Sequence, residues 1–329
     1  MPEILYTVEF PFQAKTFEAI DPHVDVASAY LPLRPAAKGC TDEIDEVDLA
    51  YMDVGYVNRQ VREIDPSVVV YNHNYRHRDV DFQTEYPLVH VRHGASIGRG
   101  TVQVDVEEVF PLMDAALAPG EWWATQYRET ESPLAVETVG IPEADALVDS
   151  EPPRQRRVLY APTNTRYGQG SLCNTAEHVL DTFAGSDYHL RFRPHPHDTL
   201  EQPARSLVRK CRDRICDLPT VTFDDAWSPV ESLLWADVLI SDYSGTVTEW
   251  LHTGRPLLQL TDVVSETNEV PEIGTTTDEL AIETVDRLYE DGHSQAERDR
   301  RDAWLDRLGI PMDGRAGRRA ASVLTAIVE

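Results

Sequence analysis

The chain has 329 residues, 41% of them hydrophobic, and a formal net charge of −27. That length suits two domains of roughly 150 residues better than one core. No apolar run approaches the ~20 residues of a membrane span, and so acidic a chain offers duplex nucleic acid no basic face.

The N-terminus, MPEILYTVEF, has no basic n-region and no signal-peptide h-region, so the expectation is a protein kept in the cytosol. Among the basic residues only Lys15, Lys38 and Lys210 are lysine. Scattered carboxylates with almost no lysine read as adaptation to a salt-filled cytoplasm, where charge is screened over short distances. The rival reading is a binder of cations or basic partners. Cys40, Cys173, Cys211 and Cys216 form no Cys-x-x-Cys pair, have no histidine at zinc-finger spacing, and read as reduced packing residues.

In chain order, Ile4–Phe10 reads as a weak strand and 13–20 as a helix. Cys40 to Arg62 is acidic with helical spacing of Ile44, Val47, Leu49, Val54, Val57 and Val61. Ser67 to Tyr71 is a buried strand, followed by a polar loop to Asp81. Leu88 to Val91 is a second, ending at Arg92-His93-Gly94. Ala115 to Ala118 is a third, with a helix over 121–127 after it. Ala135 to Val139 is a strand closed by Gly140-Ile141-Pro142. Repeated strand–loop–helix alternation predicts a doubly wound α/β domain.

Residues 142–156 are polar, acidic and proline-rich, and read as an interdomain linker. The expected division is a first domain over 1–145, a linker over 146–156 and a second domain over 157–329. The second begins with a strand over 157–160 that ends at Ala161-Pro162-Thr163. Helices are expected over 175–183, 203–214 and 229–235, and strands over 188–192 and 220–223. After Leu260 come helices over 277–291, 296–308 and 316–328.

Within the second domain, Ala236 to Leu260 reads as strand, polar turn, short helix and strand. Val238-Leu239-Ile240 is an apolar run covered on both faces. Ser241 to Gly245 supplies turn and N-cap residues, and Gly254 with Pro256 ends the helix. A strand–turn–helix directs free N–H groups and a positive helix end at one point, which suits the phosphates of a nucleotide-linked donor. Two open α/β domains are expected to bind ligand in a cleft facing their strand ends. The polar residues worth attention end strands: His93, Thr163, Arg193 to His195, and Asp242 to Thr246.

These stretches, in this order, resemble the CDP-glycerol glycerophosphotransferase family, the teichoic-acid polymerase and primase type with a GT-B fold. His93-Gly94-Ala95 stands for the family's His-Gly-Thr. Leu159 to Thr163 match its Leu-Tyr-Ala-Pro-Thr, and His195-Pro196 its His-Pro dipeptide. Ala236 to Ser244, with Gly245, Glu249 and Arg255-Pro256-Leu257, resembles its Ala-Asp-x-Leu-Ile-[ST]-Asp-Tyr-Ser-Ser segment and the residues beyond. Asp313-Gly314-Arg315-Ala316 is similar to its closing Asp-Gly-x-Ala. The likeness spans about residues 65 to 329. Ala95 and Gly245 each lack a hydroxyl that the family carries, and arginine (Arg99, Arg255) replaces lysine.

The resemblance implies a transferase with two Rossmann-type domains, C-terminal helices and no cofactor. It moves a polyol phosphate from a CDP-linked donor to a hydroxyl of a glycan, polyol-phosphate or lipid-linked acceptor, and releases CMP. His93 is the expected general base, a task its ordinary pKa suits. His195 is expected to bond phosphate or protonate the departing nucleotide, and His197 is peripheral. Arg193, a fixed cation, competes between phosphate binding and a structural salt bridge. Ser244, Gly245 and Thr246 face the pyrophosphate, Asp242 orients their turn or holds His195, and Glu249 accepts from ribose. Thr163 with Asn164 and Arg166 faces the nucleotide. Gly94 lets the backbone turn, and Asn72, His73 and Asn74 line the acceptor side. Trp122 and Trp123 read as core. A metal held by His90 and His93 is disfavoured, and no Asp-x-Asp motif stands out. Without an anchor of its own, the chain would touch a membrane peripherally, at its inner face. The rivals are a GT-B glycosyltransferase or sugar-nucleotide epimerase using a UDP-sugar, and a non-catalytic nucleotide-binding scaffold.

Overall fold

The computed structural model describes residues 1–35, 52–72, 84–97, 113–130, 135–166, 170–263 and 270–329. Among the described residues, two six-stranded sheets, both entirely parallel, account for the strands. The chain divides into two compact units: residues 1–93, 101–145 and 307–329, and residues 94–100 and 146–306.

The first unit runs β1 (Ile4–Val8), α1 (Pro11–Ile20), β2 (Ser28–Pro32), α2 (Val54–Ile64), β3 (Val68–Tyr71), β4 (Leu88–Val91), β5 (Ala115–Ala118), α3 (Glu121–Arg128) and β6 (Ala135–Thr138). Its strand order, β2-β1-β3-β4-β5-β6, reverses between β1 and β3. The inner strands β1, β3, β4 and β5 are buried at every position, whereas the edges β2 and β6 are partly exposed. That contrast is why the inner strands read as unbroken apolar runs and β2 did not register as a strand at all. The helical spacing from Cys40 settles into α2, which Asp53 caps by accepting from Tyr56 N at 2.9 Å. The part of that expected helix over 40–51 lies outside the described residues.

The second unit runs β7 (Arg157–Tyr160), α4 (Leu172–Phe183), β8 (His189–Phe192), α5 (Pro196–Leu200), α6 (Ala204–Ile215), β9 (Val221–Phe223), α7 (Val230–Trp235), β10 (Val238–Ser241), α8 (Gly245–Trp250), β11 (Leu257–Leu260), β12 (Thr275–Thr277), α9 (Ile282–Asp291) and α10 (Gln295–Leu308). Its order, β12-β11-β10-β7-β8-β9, reverses between β7 and β10. Counted from β7, this is the dinucleotide-binding order, whose reversal point is where ligands meet the strand ends. Val158, Tyr160, Phe192, Val238, Ile240 and Leu258 pack with α4, α6 and α9 into one core.

The last helix, α11 (Ala316–Val328), was expected with the second half but builds the first unit. Ala320, Ala321 and Leu324 join Ile4, Tyr6, Phe17, Val70 and Val89 in its core. A Cβ at Gly317 would sit 2.3 Å from the Ala19 carbonyl, so the bare backbone lets α11 approach α1. Asp145 caps it, accepting from Ala316 N at 2.9 Å and Gly317 N at 2.8 Å.

The polar stretch expected as a linker is firmly held. Pro142–Leu147 is a 3-10 turn with Glu143, Ala144 and Leu147 buried. Asp237 accepts from the amides of Arg154, Gln155 and Arg157 at 2.6, 2.9 and 3.1 Å. Arg255, buried and lowered in pKa chiefly by desolvation, donates to carbonyls of Ser150 and Glu151 on one side and Leu233 and Ala236 on the other. Arginine serves there because its fork satisfies several carbonyls at once.

Candidate functional site

At the reversal point of the second sheet, β10 ends in Ser241-Asp242-Tyr243-Ser244 and α8 starts at Gly245. Ser244 is the N-cap, its Oγ accepting from Thr246 N at 3.3 Å. The helix ends as expected, with Gly254 in the left-handed region at φ +65°. Glu249 is 2% exposed, so the alternative of a solvated helix glutamate does not hold.

Asp242 is the hinge of this turn and is completely buried. Its Oδ1 accepts from the amides of Thr163 at 2.9 Å and Ser244 at 3.1 Å. Its Oδ2 accepts from the amide and hydroxyl of Ser171, each at 2.9 Å. Burial raises its pKa, and these donors pull it back. The carboxylate thus joins the ends of β7 and β10 to the start of α4 by direct bonds. Gln259 extends the same lattice, donating to the Asp242 carbonyl at 3.0 Å and accepting from the amides of Ile273 and Gly274.

A second buried carboxyl, Asp198, accepts from the amide and hydroxyl of Thr165 at 3.0 and 2.7 Å. Burial pushes it up to about 6. Arg166, expected to face nucleotide, forms a two-pronged ion pair with Glu201 at 2.9 and 2.8 Å. Neither Ser171 nor Asp198 stood out in the sequence. Polar residues at helix starts are common caps, and only the fold reveals what these two grip.

The loop after β8 commits Arg193 to protein partners. Arg193 is 6% exposed. Its guanidinium pairs with Asp224 at 2.9 Å and donates to the carbonyls of Ala226 at 2.6 Å and Trp227 at 3.4 Å. Of the two readings open for it, the structural salt bridge is the one its contacts describe. His195 caps the short helix α5, and its Nδ1 accepts from the amide of His197 at 3.2 Å. An amide can only donate, so the ring proton sits on Nε2. The two imidazoles stack with centroids 5.4 Å apart.

In the first unit, His93 follows β4. Its Nδ1 is hydrogen-bonded to the Asn72 carbonyl. A carbonyl can only accept, so the proton is on Nδ1 and Nε2 carries the lone pair. Phe12 lies 6.4 Å from the ring. Desolvation pushes the imidazole down to about 4; nearby Lys15 and Arg92 also lower it, against the Asn72 bond and Glu9. Asn72 itself is fully buried at the end of β3 and donates from Nδ2 to the Gln13 carbonyl of α1 at 2.7 Å. His90 is buried within the fold, with Tyr127 hydroxyl 3.3 Å from its Nδ1.

Gly94 adopts φ +60°. Residues 94–100 cluster with the second unit. A Cβ on Gly245 would lie 2.9 Å from Gly94 Cα, so the two glycine backbones touch.

Several expected residues lie outside the described ones: Lys38, Cys40, His73, Asn74 and Arg99. Trp123 is fully buried and meets Trp122 edge-on at 5.1 Å, in keeping with core packing. Cys173, Cys211 and Cys216 are free thiols. Among the described residues, no cluster of histidine, cysteine or carboxylate side chains is set to hold a metal, and no helix is long and apolar enough to cross a membrane.

A family model described as CDP-glycerol:poly(glycerophosphate) glycerophosphotransferase matches residues 127–321, more than half the chain. Among solved structures, a variant of the wall teichoic acid polymerase TagF soaked with CDPG aligns with a TM-score of 0.68 at 14% identity, covering 100% of this chain and 90% of that one. The S. aureus MnaA–UDP structure aligns at 0.62 with 14% identity, covering 99% and 96%. The UDP-GlcNAc 2-epimerase from Neisseria meningitidis bound to UDP-GlcNAc aligns at 0.60 with 15% identity, covering 98% and 99%. No curated protein matches. At these identities the likeness is one of fold: α/β units with parallel sheets of the GT-B kind.

Proposed function

From the premise that the chain belongs to the CDP-glycerol:poly(glycerophosphate) glycerophosphotransferase family, we propose how its own residues carry the reaction. The chain is a transferase that moves glycerol phosphate from CDP-glycerol. The acceptor is a hydroxyl of a glycan, polyol-phosphate or lipid-linked molecule. It works at the inner face of the cell membrane, with peripheral contact.

The acceptor oxygen attacks the phosphorus that bears the glycerol. A new P–O bond forms, the P–O bond to CMP breaks, and the hydroxyl proton passes to Nε2 of His93. CMP leaves with the electron pair. His195 donates from Nε2–H to an oxygen of the departing phosphate. The Gly245 amide and the Thr246 hydroxyl hold the diphosphate, Ser244 caps the turn by accepting from the Thr246 amide, and Glu249 accepts from ribose hydroxyls. Thr163 and Asp242 position that turn. Positioning and electrostatics suffice in outline, because phosphoryl transfer asks little covalent work of a protein.

One observation carries the division of roles: the two histidines have opposite tautomers. His93 is bonded to a carbonyl and presents a lone pair, whereas His195 is bonded to an amide and presents a proton. The first suits a base and the second an acid. The neutral state of His93 at pH 7 follows from a pKa near 4, and the negative charge of a bound diphosphate raises it toward a more useful basicity.

A thermal-shift and turnover panel of CDP-glycerol, other CDP-polyols and UDP-sugars tests this. CDP-glycerol is expected to raise the melting temperature, and His93→Ala to keep that rise while losing transfer by about 10²–10⁴-fold. Stabilisation by UDP-sugars alone would replace the phosphotransfer reading with a sugar-nucleotide one. Full transfer by His93→Ala would remove the general-base role.

A further inference from the structure

Arg92 carries a charge that neither the fold nor the proposed chemistry yet uses. It directly follows β4 and is bonded to His93. Its backbone amide donates to the Leu117 carbonyl at 3.4 Å, which carries the β4–β5 ladder one residue further. Its guanidinium makes no hydrogen bond and no ion pair among the described residues. Nε is enclosed without a partner, whereas Nη1 and Nη2, equally unbonded, are not enclosed. The side chain as a whole is half-buried, so the outer edge of the fork is open to a ligand.

In this chain such a group needs a reason. Carboxylates outnumber lysine and arginine by 57 to 30, so partners for a cation abound. Other cations have taken them. Lys15 faces Glu143 at 3.6 Å, and Arg34 is paired with Glu9. Arg166 and Arg193 are held by Glu201 and Asp224. Withdrawing part of a guanidinium from water without a partner costs stability. Sites that break a packing rule in this way are commonly functional.

The position of Arg92 says what the charge is for. It is felt at His93, where Arg92 and Lys15 oppose protonation and Glu9 favours it. An unpaired cation beside a base is matched to an anion that arrives with the substrate. An acceptor oxygen bonded to His93 Nε2 attacks phosphorus from about 3 Å. The phosphoryl oxygens are then drawn up to the base and its neighbours. The loose transition state spreads negative charge over those oxygens, and the planar fork of an arginine meets two of them at once.

We propose that Arg92 is a catalytic cation of the transfer, its guanidinium bonding the non-bridging oxygens of the phosphoryl group as that group passes to the acceptor. The proposal rests on the transferase reading above and adds a residue to it. The acceptor oxygen bonds to phosphorus, its proton goes to His93 Nε2, and CMP leaves with the electrons of the broken P–O bond. Arg92 stays protonated throughout. Its charge also keeps His93 neutral until the phosphoryl group arrives to offset it.

The experiment uses the full chain, CDP-glycerol as donor and a soluble glycerol phosphate oligomer as acceptor. Arg92→Met keeps the apolar stem and removes the charge. It is expected to melt no lower than wild type and to keep the rise in Tm with CDP-glycerol, yet to lose kcat by about 10²-fold or more. Its acid limb in kcat/KM is expected to move up from near pH 4, because a positive neighbour of His93 is gone. Arg92→Ala is expected to recover part of its kcat with added guanidinium ion, and His93→Ala to recover none. Full kcat in Arg92→Met overturns the proposal. So does a loss of kcat that guanidinium leaves unrescued and that comes with a lower Tm, the mark of a structural role. A wild type that binds CDP-glycerol yet transfers nothing overturns the transfer reading itself, and the role of Arg92 with it.

Discussion

At the scale of single residues, the partner of His93 decides its chemistry. Because the Asn72 carbonyl takes the Nδ1 proton, Nε2 stays basic wherever the ring is neutral, and burial holds its pKa near 4. In free enzyme, kcat/KM should therefore persist well below pH 6.5 and fall only as His93 protonates near pH 4. A pH profile with its acid limb near 6.5 would contradict this environment. Stability has the same sign. Between about pH 4 and 6.5 the unfolded chain binds a proton at this histidine that the folded chain refuses, so stability falls as pH drops through that window. The loss from this group between pH 7 and 5 is about 2 kcal/mol. His93→Gln should flatten that part of the pH dependence in urea titrations. Asp242 makes a different kind of prediction. Replacing it by alanine strands the amides of Thr163, Ser244 and Ser171 in a dry interior. A loss of about 2–4 kcal/mol is expected from urea midpoints, with donor-induced stabilisation lost as well. His93, His195 and Asp242 were legible as strand-end polar residues in a recognisable order. Arg193 was legible as an important cation, but the sequence did not decide between its two tasks. Whether an arginine meets a ligand or an Asp224 thirty-one positions later depends on where the chain returns.

At the scale of elements, the β10–turn–α8 unit and its neighbours were readable because their strands are buried on both faces and leave uninterrupted apolar runs. The strands that escaped, β2 (SAYLP) and β12 (TTT), are sheet edges, where half the residues meet water and the pattern dissolves. The helix α5 escaped because Pro196 and two histidines look like loop, although proline is at home in a first turn. The contact of Gly245 with Gly94 gives a prediction on this scale. A Cβ at 245 meets Gly94 Cα at 2.9 Å and its carbonyl carbon at 3.2 Å. Gly245→Ser should thus destabilise by about 1–3 kcal/mol and reduce transfer by distorting the turn proposed to hold the donor. Gly94→Ala is the control: its Cβ meets nothing within 4 Å, so only the strain of φ +60° remains, about 1–2 kcal/mol. If both substitutions proved silent in melting temperature and turnover, the close approach would not matter. Where the resembling family carries a second serine, this chain has opened room for backbone.

At the scale of the whole molecule, charge dominates. A net charge of −27 on 329 residues repels itself at low ionic strength, and short screening lengths relieve it. The melting temperature is therefore expected to rise substantially between ~10 mM and molar KCl, as the Debye length falls from about 30 Å to 3 Å. A flat response would leave the lysine-poor composition without this physical role. The sequence alone determined the fold class, most inner strands, the strand–turn–helix at the second sheet's reversal point, and the histidines proposed to act. All of these rest on local pattern: apolar runs, turn residues and short motifs carry their information within about twenty positions. Tertiary structure decided the rest. It sent α11 back to the first unit, committed Arg193, Arg166 and Arg255 to protein partners, and set the tautomers of His93 and His195. It also buried the Asn72 side chain, which donates to the Gln13 carbonyl. These outcomes depend on which groups meet across long chain separations. A hydrogen bond's partner is a fact of proximity in space, which no local pattern encodes.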